Sequence, residues 1–178
     1  KILGIVGMGA IGKAVARRAR GFNMPVLYFK RVRLTEGEER ELNATYVDLP
    51  TLLRKSDFVS LHVDLNEETR GLIGKEELHM MKPTAFLINV ARGPVLDEQA
   101  LVEALRDGVI KGAGLDVYQN EPLLTEGLAE LKSVVLLPHI GTATIETRMA
   151  MADLAVRNLM QGLTGEKPTT CVNCHLIQ

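Results

Sequence analysis

The sequence predicts an α/β fold, a doubly wound parallel sheet with helices on both faces. Three features predict it: short apolar runs, helix-like segments between them, and a glycine-rich turn directly after the first run. Apolar runs without polar alternation are typical of strands that are buried on both faces, as in a parallel sheet. Parallel strands that alternate with helices are joined by right-handed crossovers, which place helices against the sheet.

The predicted elements follow one another along the chain. The six strand-like runs are KILGIV, PVLYF, DFVSLHV, TAFLINV, IKGAGLDV and SVVLLP. The segment IGKAVARRAR is a predicted helix with Ile11, Val15 and Ala19 on one face. DEQALVEALRDG begins with acids and closes on Gly108, which matches the preferences of both helix ends. ATIETRMAMADLAVRNLMQGL is a long amphipathic helix that ends near Gly162.

The composition indicates a single globular domain. Hydrophobic residues make up 46% and charged residues 24% of the 178 residues, enough for one sizeable core. The net charge of -1 argues against nucleic acid or an anionic membrane as a partner, and no apolar run reaches the ~20 residues of a membrane span. We expect residues 1–168 to form the domain and residues 169–178 a tail. The chain opens on an apolar run without Met or a signal peptide, so we expect a domain from a longer protein.

The turn after the first run, GMGAIG, is the first candidate site. Gly7, Gly9 and Gly12 match G-x-G-x-x-G, the dinucleotide-binding pattern of a Rossmann-type fold, in which the following helix N-terminus receives pyrophosphate. A triphosphate-binding loop also begins this way, with Lys13 in place. That loop needs a hydroxyl after the lysine to hold magnesium, and Ala14 lacks one. The remaining alternative is a turn that only packs.

A basic stretch at the end of the second run indicates which dinucleotide is bound. NAD-binding folds carry an acid about 20 residues beyond the turn, which binds the adenosine ribose. This chain has no acid between Gly12 and Glu36, and has Lys30, Arg31 and Arg33 instead. Cations suit the 2′-phosphate of NADP, and arginine binds it with two hydrogen bonds. The sequence therefore favours NADP(H), with NAD(H) possible; the alternative is a solvated basic loop.

Three chemically active residues follow later strand-like runs. Arg92, Glu121 and His139 come after the fourth, fifth and sixth runs, so they share a rim with the glycine turn. Hydride delivered to a keto acid builds charge on oxygen, which a histidine can protonate near neutral pH. A carboxylate can hold that histidine, and an arginine can bind the substrate carboxylate. Each residue alone could be structural, but the three together predict keto-acid reduction.

Five motifs together resemble a known family. GMGAIG, LHVDLNEETRGLI, LINVARGPVLDEQAL, GLDVYQNEP and PHIGTAT resemble the nucleotide-binding domain of D-isomer-specific 2-hydroxyacid dehydrogenases, and the basic stretch is similar to that of glyoxylate/hydroxypyruvate reductases. The resemblance implies Arg92 as the substrate-binding residue, His139 as the general acid/base and Glu121 as its partner. It also implies cofactor contacts by Arg92 and His139 themselves and by Met8, Ala10, Ile11, His62, Thr69, Val90, Ala91, Asp116 and Gly141. Asp64 departs from the family pattern, in which a proline is usual.

The resemblance also implies what surrounds the domain. Family members are two-domain enzymes, so the substrate domain is expected elsewhere in the protein, and the 178 residues alone are expected to bind cofactor with little turnover. A homodimer and a small 2-keto or 2-hydroxy acid substrate are implied as partners. The family also contains transcriptional corepressors, so a dinucleotide-binding interaction module is the alternative function.

The tail contains a separate pattern, CVNCH. It matches C-x-x-C-H, the haem-attachment motif, and Cys171, Cys174 and His175 are also three crowded candidate zinc ligands, one short of a structural site. We predict neither a haem nor a metal here, because no helical domain surrounds the motif. The body of the chain has no cysteine, which favours a reducing compartment and a cytoplasmic protein.

Overall fold

The structure is a computed structural model that describes residues 1–174. Its strands are β1 (Leu3–Val6), β2 (Val26–Phe29), β3 (Ala44–Tyr46), β4 (Phe58–Leu61), β5 (Phe86–Asn89), β6 (Gly112–Leu115) and β7 (Val134–Leu136). Its α-helices are α1 (Ala10–Ala19), α2 (Glu36–Leu42), α3 (Leu49–Lys55), α4 (Lys75–Met80), α5 (Glu98–Arg106) and α6 (Ile145–Leu163).

The strands form one parallel seven-stranded sheet in the order β3-β2-β1-β4-β5-β6-β7. From β1 the chain adds β2 and then β3 toward one edge of the sheet. It then crosses to the other side of β1, where β4, β5, β6 and β7 follow in order toward the opposite edge. The strand order therefore reverses between β1 and β4, where ligands bind in folds of this type. The predicted fold class, a Rossmann-type sheet flanked by helices, is confirmed.

Each of the six predicted strand runs contains a strand, and the three predicted helices are present. The short elements β3, α2, α3 and α4 had no predicted counterpart. Strand β3 is a three-residue strand at the sheet edge whose middle residue, Thr45, is exposed, so it leaves no continuous apolar run. Helix α2 begins at a capping box in which Thr35 and Glu38 bond each other's backbone, a local signal of helix initiation.

The face of α1 that packs against the sheet consists of small residues. Its buried residues are Gly12, Ala16 and Ala19, whereas Ile11 is 64% exposed. Ile11 lies in the first turn of the helix, beside the glycine turn, where the chain faces a surface cleft rather than the core. The small residues at positions 12, 16 and 19 instead allow α1 to approach the sheet closely.

The core consists of two apolar clusters. One joins the central strands to α3, α4 and α5, and the other joins β1 and β2 to α1 and α2. The chain divides into two compact units, Lys1–His139 and a second unit that begins at Ile140 and contains α6. The predicted domain of residues 1–168 thus includes the first unit and helix α6. Within residues 1–174, no helix is long and apolar enough to cross a membrane.

Candidate active site

The glycine turn has the backbone that its sequence predicts. Gly7 has φ +98°, and a Cβ there would stand 2.6 Å from the carbonyl of His62. A Cβ on Gly12 would stand much closer to the Gly7 carbonyl oxygen than van der Waals contact allows, so a side chain at either position is excluded. Gly9 differs, because a Cβ there would meet no atom within 4 Å. The open space beside Gly9 is where a ligand can approach the backbone.

Helix α1 begins at this turn without a side-chain cap. Gly9 is its N-cap residue, and its first turn contains no acid, so its initial N–H groups are available to an anion. Ala10 and Ile11 are exposed beside them. The Met8 side chain is fully buried in the core, so only the backbone of this predicted contact residue can face a cofactor.

A cleft of about 400 Å³ extends from the turn toward the end of β2. It is lined by Gly7, Met8, Gly9, Phe29, Lys30, Arg31, Val32, His62, Val63, Asp64, Asn66, Glu68, Thr69 and Leu72. Lys30 forms no ion pair among residues 1–174. Arg31 pairs with Glu68 at 3.4 Å, but both side chains are more than 70% exposed. An exposed pair of this kind contributes little stability, so Arg31 can exchange Glu68 for a phosphate.

Arg33 is engaged elsewhere. Its guanidinium forms two 2.8 Å hydrogen bonds with the Glu39 carboxylate and stacks on the Tyr46 ring. The hydroxyl of Tyr28 also donates to Glu39, at 2.6 Å. The Arg33 hydrogen bonds lower the pKa of Glu39 to about 2, and burial together with the Glu39 bond raises the pKa of Tyr28 to about 12. Arg33 therefore braces the basic stretch against α2 and does not line the cleft.

A second cleft, of about 380 Å³, continues from the first along the strand ends. The two clefts share His62, Val63 and Asp64, and the second adds Ile11, Leu65, Val90, Ala91 and Arg92. The two clefts thus form one groove, and the predicted cofactor residues that line it are Gly7, Met8, Gly9, Ile11, Lys30, Arg31, His62, Thr69, Val90, Ala91 and Arg92.

His62 forms part of the wall of both clefts. Its Nε2 is hydrogen bonded to Ser60 Oγ at 2.9 Å, and its Nδ1 has no hydrogen-bond partner in the described part of the chain. Burial lowers the pKa of His62, so the neutral ring is favoured. The unpartnered Nδ1 is itself buried.

The loop after β4 is held by Thr69. Its hydroxyl donates to the Asp64 carbonyl, and the Asn66 side chain accepts the N–H groups of Glu68 and Thr69. These bonds close a compact turn although Asp64 stands where the family usually has proline. Thr69 therefore shapes the groove wall as well as lining it.

The predicted acid and histidine are in direct contact. His139 Nδ1 and Glu121 Oε2 are 2.8 Å apart. His139 has φ +53°, a left-handed conformation that a non-glycine residue adopts rarely and often at functional sites. The hydrogen bond to His139, followed by the Tyr118 N–H and the charges of His139 and Arg92, lowers the pKa of Glu121. Glu121 is therefore an ionised partner that leaves His139 Nε2 for chemistry.

Arg92 lies close enough for its charge to act on Glu121. Asn89, which is 1% exposed, shapes the turn that carries Arg92, because its side chain accepts from the Ala91 N–H and donates to the Arg92 carbonyl. Asp116, the predicted nicotinamide contact, is buried directly after β6. Gly141 belongs to the second unit, two residues after His139.

Tyr118 and Gly93 join the loops of the three catalytic candidates, and neither was predicted from the sequence. The Tyr118 N–H donates to Glu121 Oε1, and its hydroxyl donates to the Leu137 carbonyl at 2.7 Å, near His139. Gly93 packs directly against the Tyr118 backbone, where a Cβ would overlap it at 1.9 Å. The glycine directly after Arg92 was the only sequence signal of this close approach.

An apolar cleft of about 340 Å³ adjoins the Glu121–His139 pair. Besides the pair, it is lined by Tyr118, Pro122, Leu124, Leu136, Leu137 and Pro138. The two side chains of the pair remain partly exposed, His139 to 49% and Glu121 to 37%. The site thus combines a cation, a held histidine and an anion-binding turn.

In the tail, the structure joins Cys171 and Cys174 by a disulfide, which engages two of the three candidate metal ligands. His175, the third, lies outside the described residues. No group of three metal-ligating side chains occurs within residues 1–174.

Comparison with known proteins identifies relatives of the chain. Residues 1–141 match the family model described as D-isomer specific 2-hydroxyacid dehydrogenase, NAD binding domain. The chain is 54% identical over 173 residues to a glyoxylate reductase of Thermococcus litoralis, covering 97% of this chain and 52% of the relative. It thus spans about half the length of the curated relatives that it matches.

Solved structures of two reductases share the fold. A glyoxylate reductase from Paecilomyes thermophila superposes with a TM-score of 0.91 at 44% identity, covering 98% of this chain and 53% of that one. An NADPH-dependent glyoxylate/hydroxypyruvate reductase from Sinorhizobium meliloti, in complex with NADP and malonate, has a TM-score of 0.91 at 38% identity, covering 97% and 53%.

Proposed function

Because the chain belongs to the D-isomer-specific 2-hydroxyacid dehydrogenases as their NAD-binding domain, we propose that the whole protein reduces a small 2-keto acid. The substrate is of the glyoxylate or hydroxypyruvate type, and the product is the D-2-hydroxy acid. The observation that carries this proposal is the 2.8 Å Glu121–His139 pair, with Arg92 within electrostatic reach. The relatives named above are reductases, which favours this function over a corepressor.

The three residues have separate roles in the proposed reaction. When bound, the reduced nicotinamide supplies the hydride. Arg92 binds the substrate carboxylate and stabilises the charge that develops on the carbonyl oxygen. His139 donates the proton to that oxygen from Nε2, since its Nδ1 is held by Glu121. Glu121 orients the ring and stabilises its protonated form.

The groove residues support NADPH as the preferred cofactor. The turn of Gly7, Gly9 and Gly12 fits a pyrophosphate, because its open side has no Cβ and α1 begins there uncapped. Lys30 and Arg31 line the same cleft and bind the 2′-phosphate in this proposal. Arg33 acts indirectly, by bracing the stretch that carries them. The Sinorhizobium meliloti relative, described as NADPH-dependent, supports the same preference.

Replacement of His139 tests the proposed reaction. Asparagine is the suitable substitute, because it tolerates the left-handed backbone of this position. We expect full-length His139→Asn to lose about 10²- to 10⁴-fold in kcat while still binding NADPH. NADPH oxidation is followed by absorbance with glyoxylate and hydroxypyruvate, and the chirality of the product is determined.

The matched control is His79→Asn, which replaces an exposed histidine of α4 whose one hydrogen bond within residues 1–174 is to the carbonyl of Lys75 in its own helix. It should keep the wild-type rate. A wild-type protein without turnover on these acids would contradict the proposal, as would a His139→Asn variant with unchanged kcat.

We also propose that the protein is a cytoplasmic homodimer. Helix α6 exposes the apolar side chains of Ile145, Met149, Val156, Leu159 and Leu163. This exposed apolar surface supports α6 as part of the contact between the two subunits. The absence of cysteine before position 171 supports a reducing compartment, where the disulfide of the tail would open to two thiols. Light scattering of the full-length protein should give twice the chain mass, and a monomer mass would contradict the dimer. Cell fractionation tests the location.

A further inference from the structure

Glu98 is a buried carboxylate that the proposed reaction does not use. It is the first residue of α5 and only 1% exposed. No lysine, arginine or histidine within residues 1–174 forms an ion pair with it. A carboxylate withdrawn from water without a cation is costly unless hydrogen bonds satisfy its oxygens. The position of its hydrogen-bond partners therefore indicates why it is buried.

Both partners of Glu98 lie in the loop that carries Glu121. The Gln119 N–H donates to Glu98 Oε1 at 2.6 Å, and the Thr125 hydroxyl donates to Oε2. In return, the Glu98 N–H donates to the Gln119 side-chain oxygen at 3.4 Å. Gln119 precedes Glu121 and Thr125 follows it, so one carboxylate holds the loop on both sides of Glu121.

Glu98 is not needed to cap its own helix. Asp97 is the N-cap residue of α5, and its carboxylate accepts the Ala100 N–H at 3.0 Å. The macrodipole of α5 favours a second carboxylate in the first turn. That effect would also operate on an exposed side chain, so it does not account for burial against the loop.

We propose that Glu98 is a positioning residue that holds the Glu121 loop so that Glu121 stays aligned with His139. This inference rests on the proposed function. Without the brace, the loop segment around Glu121 is tied to its neighbours chiefly through Tyr118, and the 2.8 Å bond to His139 loosens. Catalysis depends steeply on such alignment, because a displacement of about 1 Å can cost about 100-fold in rate.

The test compares Glu98→Ala, Glu98→Gln and Thr125→Val in the full-length protein. Glutamine can still accept the Gln119 N–H and donate to the Thr125 hydroxyl, so it should restore most of the rate. We expect Glu98→Ala to lower kcat about 10- to 100-fold while the Kd for NADPH stays unchanged. As the pH is lowered, Glu98→Ala should also lose activity at a higher pH than wild type does. The reason is that a displaced Glu121 loses the hydrogen bonds that lower its pKa. Glu103→Gln, an exposed glutamate of the same helix, is the matched control and should behave as wild type.

Defined results would overturn the proposal. One such result is Glu98→Ala with wild-type kcat. Another is a Glu98→Gln variant that is as slow as Glu98→Ala although its activity falls at the same acidic pH as that of wild type. If Glu98→Ala does not fold, Thr125→Val decides: it removes one bond and should lower kcat with a shifted acid limb, whereas a wild-type profile would refute the brace. Absence of wild-type turnover on 2-keto acids would instead refute the proposed function, so the two failures are distinguishable.

Discussion

Replacing Gly93 with alanine should push apart the loops that carry Arg92 and Glu121. A Cβ at position 93 would stand 1.9 Å from the Tyr118 carbonyl and 2.4 Å from the Gln119 nitrogen. Ordinary contact of a Cβ begins at 3.4 Å, so the two backbones must separate by about 1.5 Å in a closely packed interior. Both obstacles are backbone, so a change of side-chain rotamer cannot relieve the overlap.

The overlap determines the size of the expected effect. Overpacking of this kind costs about 1–3 kcal/mol, and a loss of about 2 kcal/mol lowers Tm by about 4–8 °C in a domain of this size. The change in alignment of Arg92 with Glu121 should lower kcat about 100-fold.

Full-length Gly93→Ala is assayed for steady-state NADPH oxidation and thermal unfolding. Gly114→Ala is the control, because it makes the same change in β6 where a Cβ would meet no atom within 4 Å. It should keep wild-type activity. A Gly93→Ala protein with wild-type kcat would refute the idea that this close approach sets the geometry of the site.

Two further predictions concern cofactor preference and acid stability. Arg31→Gln should raise the Kd for NADPH about 10- to 100-fold and leave the Kd for NADH unchanged, since a charge-assisted bond to the 2′-phosphate is lost. Arg33→Gln, which removes the partner of Glu39, should lower Tm with little change in the ratio of the Kd for NADPH to that for NADH. Equal effects of the two variants on that ratio, measured by fluorescence titration, would contradict the assignment. The hydrogen bond from the Ile2 N–H, with Lys82 and Lys1, lowers the pKa of Asp57 from 3.8 to about 2. Ionised Asp57 therefore stabilises the folded state fully above its unfolded pKa of 3.8, and this stabilisation is lost as the pH falls toward 2. Urea unfolding at several pH values should show a smaller loss of stability over this interval for Asp57→Asn than for wild type, and equal losses would count against it.

The fold was predictable because its central strands are buried on both faces. β1, β4 and β5 lie in the interior of the sheet, so their sequences are predominantly apolar and lack polar alternation. Edge strand β3 lacks this constraint, and the short helices α2, α3 and α4 span six or seven residues, too few for a clear period. These elements depend on caps and on packing against their neighbours.

The candidate site divides in the same way. The sequence by itself determined the glycine turn, the basic stretch and the candidates Arg92, Glu121 and His139, because residues that follow parallel strands share one rim of the sheet. Only the tertiary structure decided that Arg31 lines the cleft while Arg33 pairs with Glu39.

Tertiary structure alone also revealed the supports of the site. Gly93 packs against the backbone of Tyr118. Glu98 forms hydrogen bonds with Gln119 and Thr125, which lie 21 and 27 positions later in the sequence. Sequence patterns report periodic burial and the ends of strands. They do not report which distant backbone a glycine touches or which loop a buried carboxylate holds, because those contacts exist only once the sheet has brought its loops together.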